Sequence, residues 1–255
     1  MFCFNKFINI VITYLFIMAK PEDFEEEFNL LYKKLTGYFE ELKQNPSLNN
    51  FKKIVSQVDS NYLPAIFNST PINCFKRFFS KRGFGLLNYK DSVDIEDFKR
   101  ILNAVNLDLF AEELLSQISQ DHLSYGGKLV EPLCGFLIFL LIALIKRVEF
   151  SKKEPFFERL NLLFNDCKSF FKDQIDKGFK IKDYKIGFIE EAVAFYRGGY
   201  VCLCPRFLAY YSAYLIRGSD YFKFNILTTI AHELTHNLKF KIIKKNRFFF
   251  SCCYI

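Results

Sequence analysis

The chain has 255 residues, of which 51% are hydrophobic and 25% are charged, and these proportions exclude a disordered or fibrous protein. Its formal net charge is +7, but the five Lys and Arg residues between positions 239 and 247 supply most of that excess. A nucleic-acid interface spreads its cations over a surface, so we expect no nucleic-acid partner. The eight cysteines include no C-x-x-C pair, which argues against a structural zinc ribbon.

Residues 1–19 have the outline of a secretory signal or membrane anchor, because an apolar stretch from Phe7 to Ala19 follows Lys6. The alternative is a spurious extension, with translation beginning at Met18. The first interpretation predicts a secreted or membrane-tethered protein, and the second predicts a cytoplasmic one. Membrane association is expected only under the first interpretation.

Residues 20–178 are predicted to be helical. Hydrophobic residues recur at steps of three and four within residues 24–42 and again within residues 48–58, which is the period of amphipathic helices. Ser47 is the expected N-cap of the second of these helices. Loops between helices are expected at Pro46, Pro64, Pro71 and residues 81–85.

Two aspartates are expected to cap the helices that follow. Asp94 precedes the hydrophobic positions of residues 95–105, and Asp108 precedes a helix that runs through Leu115 and Ile118. Pro132 is expected in the first turn of a highly apolar helix, Leu133–Ile145. Such a helix is about 20 Å long, whereas a bilayer core is about 30 Å thick. We therefore expect a buried core helix rather than a membrane span. A further amphipathic helix is expected over residues 155–175.

The pattern changes after residue 178. Two short apolar runs, residues 192–196 and 200–204, flank Gly198 and Gly199 and predict a β-hairpin, which Pro205 ends. A third strand is expected near residues 186–189.

The predicted fold class is therefore α+β and mostly α. A helical region, residues 20–178, precedes a small zincin-like region, residues 179–238, with a short antiparallel sheet and a helix that carries an HExxH motif. Residues 239–255 form a basic and aromatic tail.

The motif that carries chemistry is His232-Glu233-Leu-Thr-His236. On a helix the two histidines lie one turn apart on the same face, where both imidazoles can bind one Zn²⁺ ion. Zinc lowers the pKa of a water ligand toward 7, and Glu233 is expected to act as the general base that accepts a proton from that water. The same helix is expected to face the core with Leu227, Ile230, Leu234 and Leu238, and to be capped by Asn225 or Thr228.

A catalytic zinc site needs a third protein ligand. The 19 residues after His236 contain no Asp, Glu or His, so the candidates lie upstream. Cys202 and Cys204 share one face of the predicted strand, although a buried structural role is the favoured alternative for both. Asp220 is the third candidate, and the weaker ones are Glu190, Glu191 and His122.

The segments AVAFYRGGYVCLCPRF and TTIAHELTH resemble the aspzincin metallopeptidases, the group of deuterolysin and lysine-specific metallo-endopeptidase. The resemblance covers Tyr184 to Asn237 and implies that His232 and His236 bind zinc and that Glu233 is the general base. The family takes its third ligand from an aspartate in a Gly-Thr-x-Asp type segment after the helix, with a tyrosine nearby. This chain has neither, so the resemblance implies a C-terminally incomplete member and an aberrant tail.

The function predicted from these observations is zinc-dependent cleavage of peptide bonds in a peptide or protein substrate, with the activity lost if no third ligand is present. The alternative is a non-catalytic helical interaction protein, or the remnant of a truncated peptidase, in which residues 20–178 carry the role.

Overall fold

The computed structural model describes residues 22–81, 91–121, 130–149, 155–170, 183–190 and 192–245. The predicted signal or anchor in residues 1–19, His122 and Glu191 lie outside these ranges. Within them, the buried hydrophobic side chains form one cluster that extends from Phe28 to Leu234. None of the described helices is long and apolar enough to cross a membrane.

The first two helices are α1, Glu22–Gln44, and α2, Leu48–Gln57, as the hydrophobic period predicts. Ser47 caps α2 as predicted, because its hydroxyl accepts a hydrogen bond from the Asn50 N–H at 3.3 Å. The hydrophobic positions at the centre of α1, such as Leu35, are fully buried.

A 3₁₀ turn, Ser60–Tyr62, then leads into two helices that the sequence did not predict: α3, Leu63–Ser69, and α4, Ile72–Lys81. The predicted loop at Pro64 is wrong, because this proline lies in the first turn of α3. The N–H groups of a first turn have no intrahelical acceptor, so proline is tolerated there.

Next come a short strand, β1 (Ser92–Asp94), and the helices α5 (Ile95–Ala104) and α6 (Leu107–Asp121). Asp94 occupies the N-cap position of α5, but its side chain does not cap the helix. It binds Lys185 Nζ at 2.9 Å instead. The start of α6 is capped by Asn106 rather than by Asp108: the Asn106 Oδ1 atom accepts hydrogen bonds from the N–H groups of residues 108 and 109 at 3.0 and 3.2 Å.

The apolar helix is α7, Val130–Glu149, with Pro132 in its first turn as predicted. Every residue from Phe136 to Ile145 is buried, and α7 contacts α3, α4 and α6. The expected core helix is therefore confirmed. It is followed by α8, Phe156–Phe170.

The sheet contains β1 together with β2 (Tyr184–Gly187), β3 (Ala194–Arg197) and β4 (Tyr200–Leu203), in the order β1-β2-β4-β3. The predicted hairpin is β3–β4, and both glycines of its turn have positive φ, at 60° and 94°. The sheet is mixed rather than antiparallel, since β2 and β4 are parallel. After β2 the chain skips the neighbouring position in the sheet and forms β3 at the outer edge. It then turns back into β4, which fills the position between β2 and β3 and runs parallel to β2.

Two helices complete the described chain: α9, Pro205–Arg217, and α10, Asp220–Lys245. Pro205 ends the strand as predicted and also begins α9, a helix that the sequence did not predict. The α9 helix packs against α3, and α10 packs against α8, α9 and the hairpin of β3 and β4. The chain is thus an α+β protein that is mostly α, which confirms the predicted class.

Candidate metal centre

The α10 helix places His232 and His236 one turn apart, with their Nε2 atoms 3.1 Å from each other. The rings are nearly perpendicular, at 83°. His232 is exposed and His236 is half-buried, so this pair lies at the surface. The structure therefore brings together the two ligands that the motif predicts.

The opposite face of α10 explains why the histidines point outward. Ile230 and Leu234 are completely buried, and Leu227 is partly buried against the same core. Cys167 of α8 donates its S–H to the Leu227 carbonyl oxygen at a distance of 3.7 Å. Leu238 lies beyond the part of α10 whose side chains the structure describes.

The expected caps of this helix are wrong, because α10 begins at Asp220, several residues before either of them. Asn225 donates its side-chain N–H to the carbonyl oxygen of Tyr221 at 3.0 Å, and Thr228 donates its hydroxyl to that of Phe224 at 2.9 Å. Both residues thus lie inside the helix and bind back to the preceding turn.

Glu233 lies between the two histidines in sequence but points toward the sheet. Its side chain is 8% exposed, and its carboxylate accepts a hydrogen bond from the Tyr196 backbone N–H. Burial raises the pKa of Glu233 to about 7, although the hydrogen bond acts in the opposite direction. One ligand atom from each of His232, Glu233 and His236 lies within 4.8 Å of the other two.

The Tyr196 N–H is free to bind Glu233 because of the hairpin register. The Cys204 N–H donates to the Val193 carbonyl oxygen at 3.0 Å, so the backbone groups of alternate residues, 193, 195 and 197, face β4. Those of Ala194 and Tyr196 face the outer edge of the sheet, where α10 lies. The sequence carries no signal for this contact, because the donor is a backbone group on a different element.

The structure does not bring the predicted third ligands into this cluster. Cys202 and Cys204 are buried beside Gly187 of β2, and burial raises the pKa of both thiols, that of Cys204 to about 12. Asp220 begins α10, about 18 Å along the helix axis from His232. Glu190 lies in the turn after β2. Among the residues that the structure describes, the cluster of side chains that could hold a metal ion contains only the three residues of the HExxH motif.

A second feature that sequence analysis did not predict is a disulfide between Cys74 of α4 and Cys134 of α7, whose Cα atoms are 5.4 Å apart. Three other cysteines, Cys167, Cys202 and Cys204, are buried free thiols. This pairing could not be predicted from the sequence, because the two cysteines are 60 residues apart and only the packing of α4 against α7 brings them together.

No family model matches the chain, and no curated protein or solved structure is detectably similar to it. The aspzincin resemblance therefore stays a prediction that rests on the motif and its flanking segment.

Proposed function

We propose that the chain is a zinc-dependent peptidase whose metal is held by His232 and His236. The observation that carries this proposal is the 3.1 Å separation of the two Nε2 atoms. Two nitrogen ligands of a tetrahedral zinc ion, each at 2.0–2.1 Å, are about 3.3 Å apart. The two imidazoles therefore fit one ion with little movement.

Bound zinc would supply a Lewis acid that activates water and polarises a carbonyl group. The residues of the chain supply the proton transfer. Glu233 is the carboxyl group placed to accept a proton from that water and to return it to the leaving amine, and burial raises its pKa to about 7 in the metal-free protein. The Tyr196 backbone N–H acts on this carboxylate, and one of its oxygens lies within 4.8 Å of a nitrogen of each histidine.

A peptide is the substrate class that suits the surroundings of Glu233. The outer edge of β3 presents the backbone N–H and carbonyl groups of Ala194 and the carbonyl oxygen of Tyr196 beside α10, while the Tyr196 N–H binds Glu233. An extended peptide binds such an edge by adding a strand to the sheet. This arrangement supports peptide hydrolysis over hydrolysis of a small ester or a nucleotide.

Metal binding is tested first. The full chain is incubated with Zn²⁺, desalted and subjected to elemental analysis, alongside His236→Ala and the control His122→Ala, which removes the imidazole outside the motif. We expect stoichiometric zinc in the wild type and the control and almost none in His236→Ala. Absence of zinc from the wild type would overturn the proposal, because the short nitrogen separation would then be only a hydrogen bond between imidazoles.

Cleavage is tested next with a library of quenched fluorescent peptides. We expect Glu233→Gln to keep its zinc and to lower kcat by about 100-fold or more. The alternative, a non-catalytic helical interaction protein, draws support from the lack of a third protein ligand in the described cluster. Full zinc occupancy without cleavage by the wild type would favour that alternative.

A further inference from the structure

Asn68-Ser69-Thr70 is the only Asn-x-Ser/Thr segment of the chain in which x is not proline. This pattern is the acceptor for N-linked glycosylation in secreted proteins. Asn68 and Ser69 belong to the last turn of α3, and Thr70 is the C-cap residue of that helix. None of the three residues belongs to the candidate metal centre.

The fold does not account for the hydroxyl group of Thr70. The residue is 4% exposed, and its hydroxyl oxygen has no hydrogen-bond partner among the described residues. A buried hydroxyl without a partner is unfavourable, whereas valine would have nearly the same shape without that cost. A glycosylation acceptor does need this hydroxyl, because the pattern requires Ser or Thr two residues after the asparagine. The hydroxyl group therefore fits a use that precedes folding.

Asn68 lies where the folded protein has room for a sugar. Its side chain is half-buried and lines a cavity of about 350 Å³ between α1, α3 and the turn after β2. The wall of this cavity also includes Asn29 and Glu190, which are both exposed. A glycan on Asn68 can thus begin in the cavity and continue into solvent past these residues.

The disulfide between Cys74 and Cys134 favours the compartment in which N-glycosylation takes place. Disulfides form and persist in oxidising environments such as the lumen of the endoplasmic reticulum, and they are rare in the cytosol. The signal-like pattern of residues 1–19 predicts the same route. Both observations are independent of the acceptor segment.

We propose that Asn68 carries an N-linked oligosaccharide, which is transferred before α3 folds. The donor is an oligosaccharide attached to a lipid pyrophosphate. The amide nitrogen of Asn68 forms a bond to C1 of the first sugar, the bond from C1 to the phosphate oxygen breaks, and the amide loses one proton as the lipid pyrophosphate leaves. Transfer precedes folding because the fold places Asn68 in a helix and buries Thr70. The proposal is independent of peptidase activity.

The test expresses the full chain in yeast without an added signal sequence. The purified protein is analysed by intact mass and by peptide mapping, before and after treatment with peptide N-glycosidase, which removes an N-glycan and converts its asparagine to aspartate. We expect a heterogeneous mass that becomes uniform after treatment, together with enzymatic conversion of Asn68. A chain that is unmodified at Asn68 would overturn the proposal.

Variants of the segment identify the groups that the transfer needs. We expect Asn68→Gln and Thr70→Val to lose the glycan, whereas Thr70→Ser and the matched control Ser69→Ala, at the position that the pattern leaves free, keep it. Because the transfer precedes folding, this result is informative even for a variant that folds poorly. A glycan retained in Thr70→Val would contradict the assignment.

The stability of Thr70→Val separates the proposal from a structural role of the hydroxyl group. In protein produced in bacteria without glycosylation, we expect this variant to have a melting temperature no lower than that of the wild type, because the buried hydroxyl has no partner to lose. A clear decrease would show that the hydroxyl serves the fold instead.

Discussion

Glu233 has an environment unlike that of an ordinary glutamate on a helix. Most helix glutamates point into water, but this side chain is held between α10 and the outer edge of β3. The backbone N–H of Tyr196 is a single neutral donor and does not replace the full hydration of a carboxylate. The protonated form is therefore favoured in the folded state.

This environment makes stability depend on pH. The pKa of Glu233 is raised from 4.5 to about 7, so the folded protein binds more protons than the unfolded chain between these values, and the free energy of unfolding falls as the pH rises through that window. We expect Glu233→Gln to remove this loss, which is at most about 3 kcal/mol.

The measurement is urea denaturation of the metal-free protein at pH 5 and pH 8. Glu158→Gln, which changes an exposed glutamate of α8, is the control and should keep the wild-type pH dependence. The same pH dependence in Glu233→Gln and the wild type would contradict the assignment.

At the scale of elements, the long helices were predictable because their hydrophobic period is local information. The residues at helix ends were harder to assign. Aspartate is a good capping residue in isolation, but the Asp94 carboxylate forms an ion pair with Lys185 of β2, with 2.9 Å between Oδ1 and Nζ. Asn106, two residues before Asp108, has an equally suitable capping side chain, and it is the residue that caps α6. Only tertiary contacts decide between such choices.

The sheet shows the same division between local and long-range information. The β3–β4 hairpin was predictable from Gly198 and Gly199, since both adopt positive φ. The strand β1 was not, because three residues are too few to show an alternating pattern. Likewise, the proximity of the two histidines of the candidate metal centre follows from their spacing, whereas the burial of Glu233 depends on a strand that is distant in sequence.

The disulfide between α4 and α7 is expected to contribute strongly to stability. It closes a loop of 60 residues, and restricting the unfolded chain in this way corresponds to about 4 kcal/mol. We expect dithiothreitol to lower the free energy of unfolding by up to this amount in the wild type.

The double variant Cys74→Ser/Cys134→Ser should be as unstable as the reduced wild type and insensitive to dithiothreitol. Denaturant unfolding with and without reductant measures both effects. An effect of the reductant on the double variant would show that another cysteine pair is responsible.

At the scale of the whole molecule, the packing joins residues on both sides of position 178. The α9 helix packs against α3, and the Tyr211 hydroxyl donates to the Phe156 carbonyl oxygen at 2.5 Å. Arg217 binds Glu27 of α1. The buried face of α9 is thus covered mainly by the helical region, and α10 packs against α8 of that region as well as against α9 and the hairpin.

We therefore expect a fragment of residues 179–255 not to fold alone. It would expose the buried side chains of α9, including Phe207 and Tyr211, and a domain this small has little core to compensate. Poor dispersion in its ¹H–¹⁵N spectrum would confirm this, and co-expression with residues 20–178 should restore the native pattern. A well-dispersed spectrum of the isolated fragment would show instead that it is an autonomous domain.

The pairing of β1 with β2 has a consequence for synthesis of the protein. Asp94 pairs with Lys185, roughly 90 residues later, and at roughly 5–20 residues per second a ribosome needs about 5–18 s to produce that interval. During this time β1 has no partner strand, and the sheet is completed only after β4 has emerged. Closure of the sheet is therefore a late step of biogenesis, and chaperones that bind nascent chains have several seconds in which to engage the unfinished core.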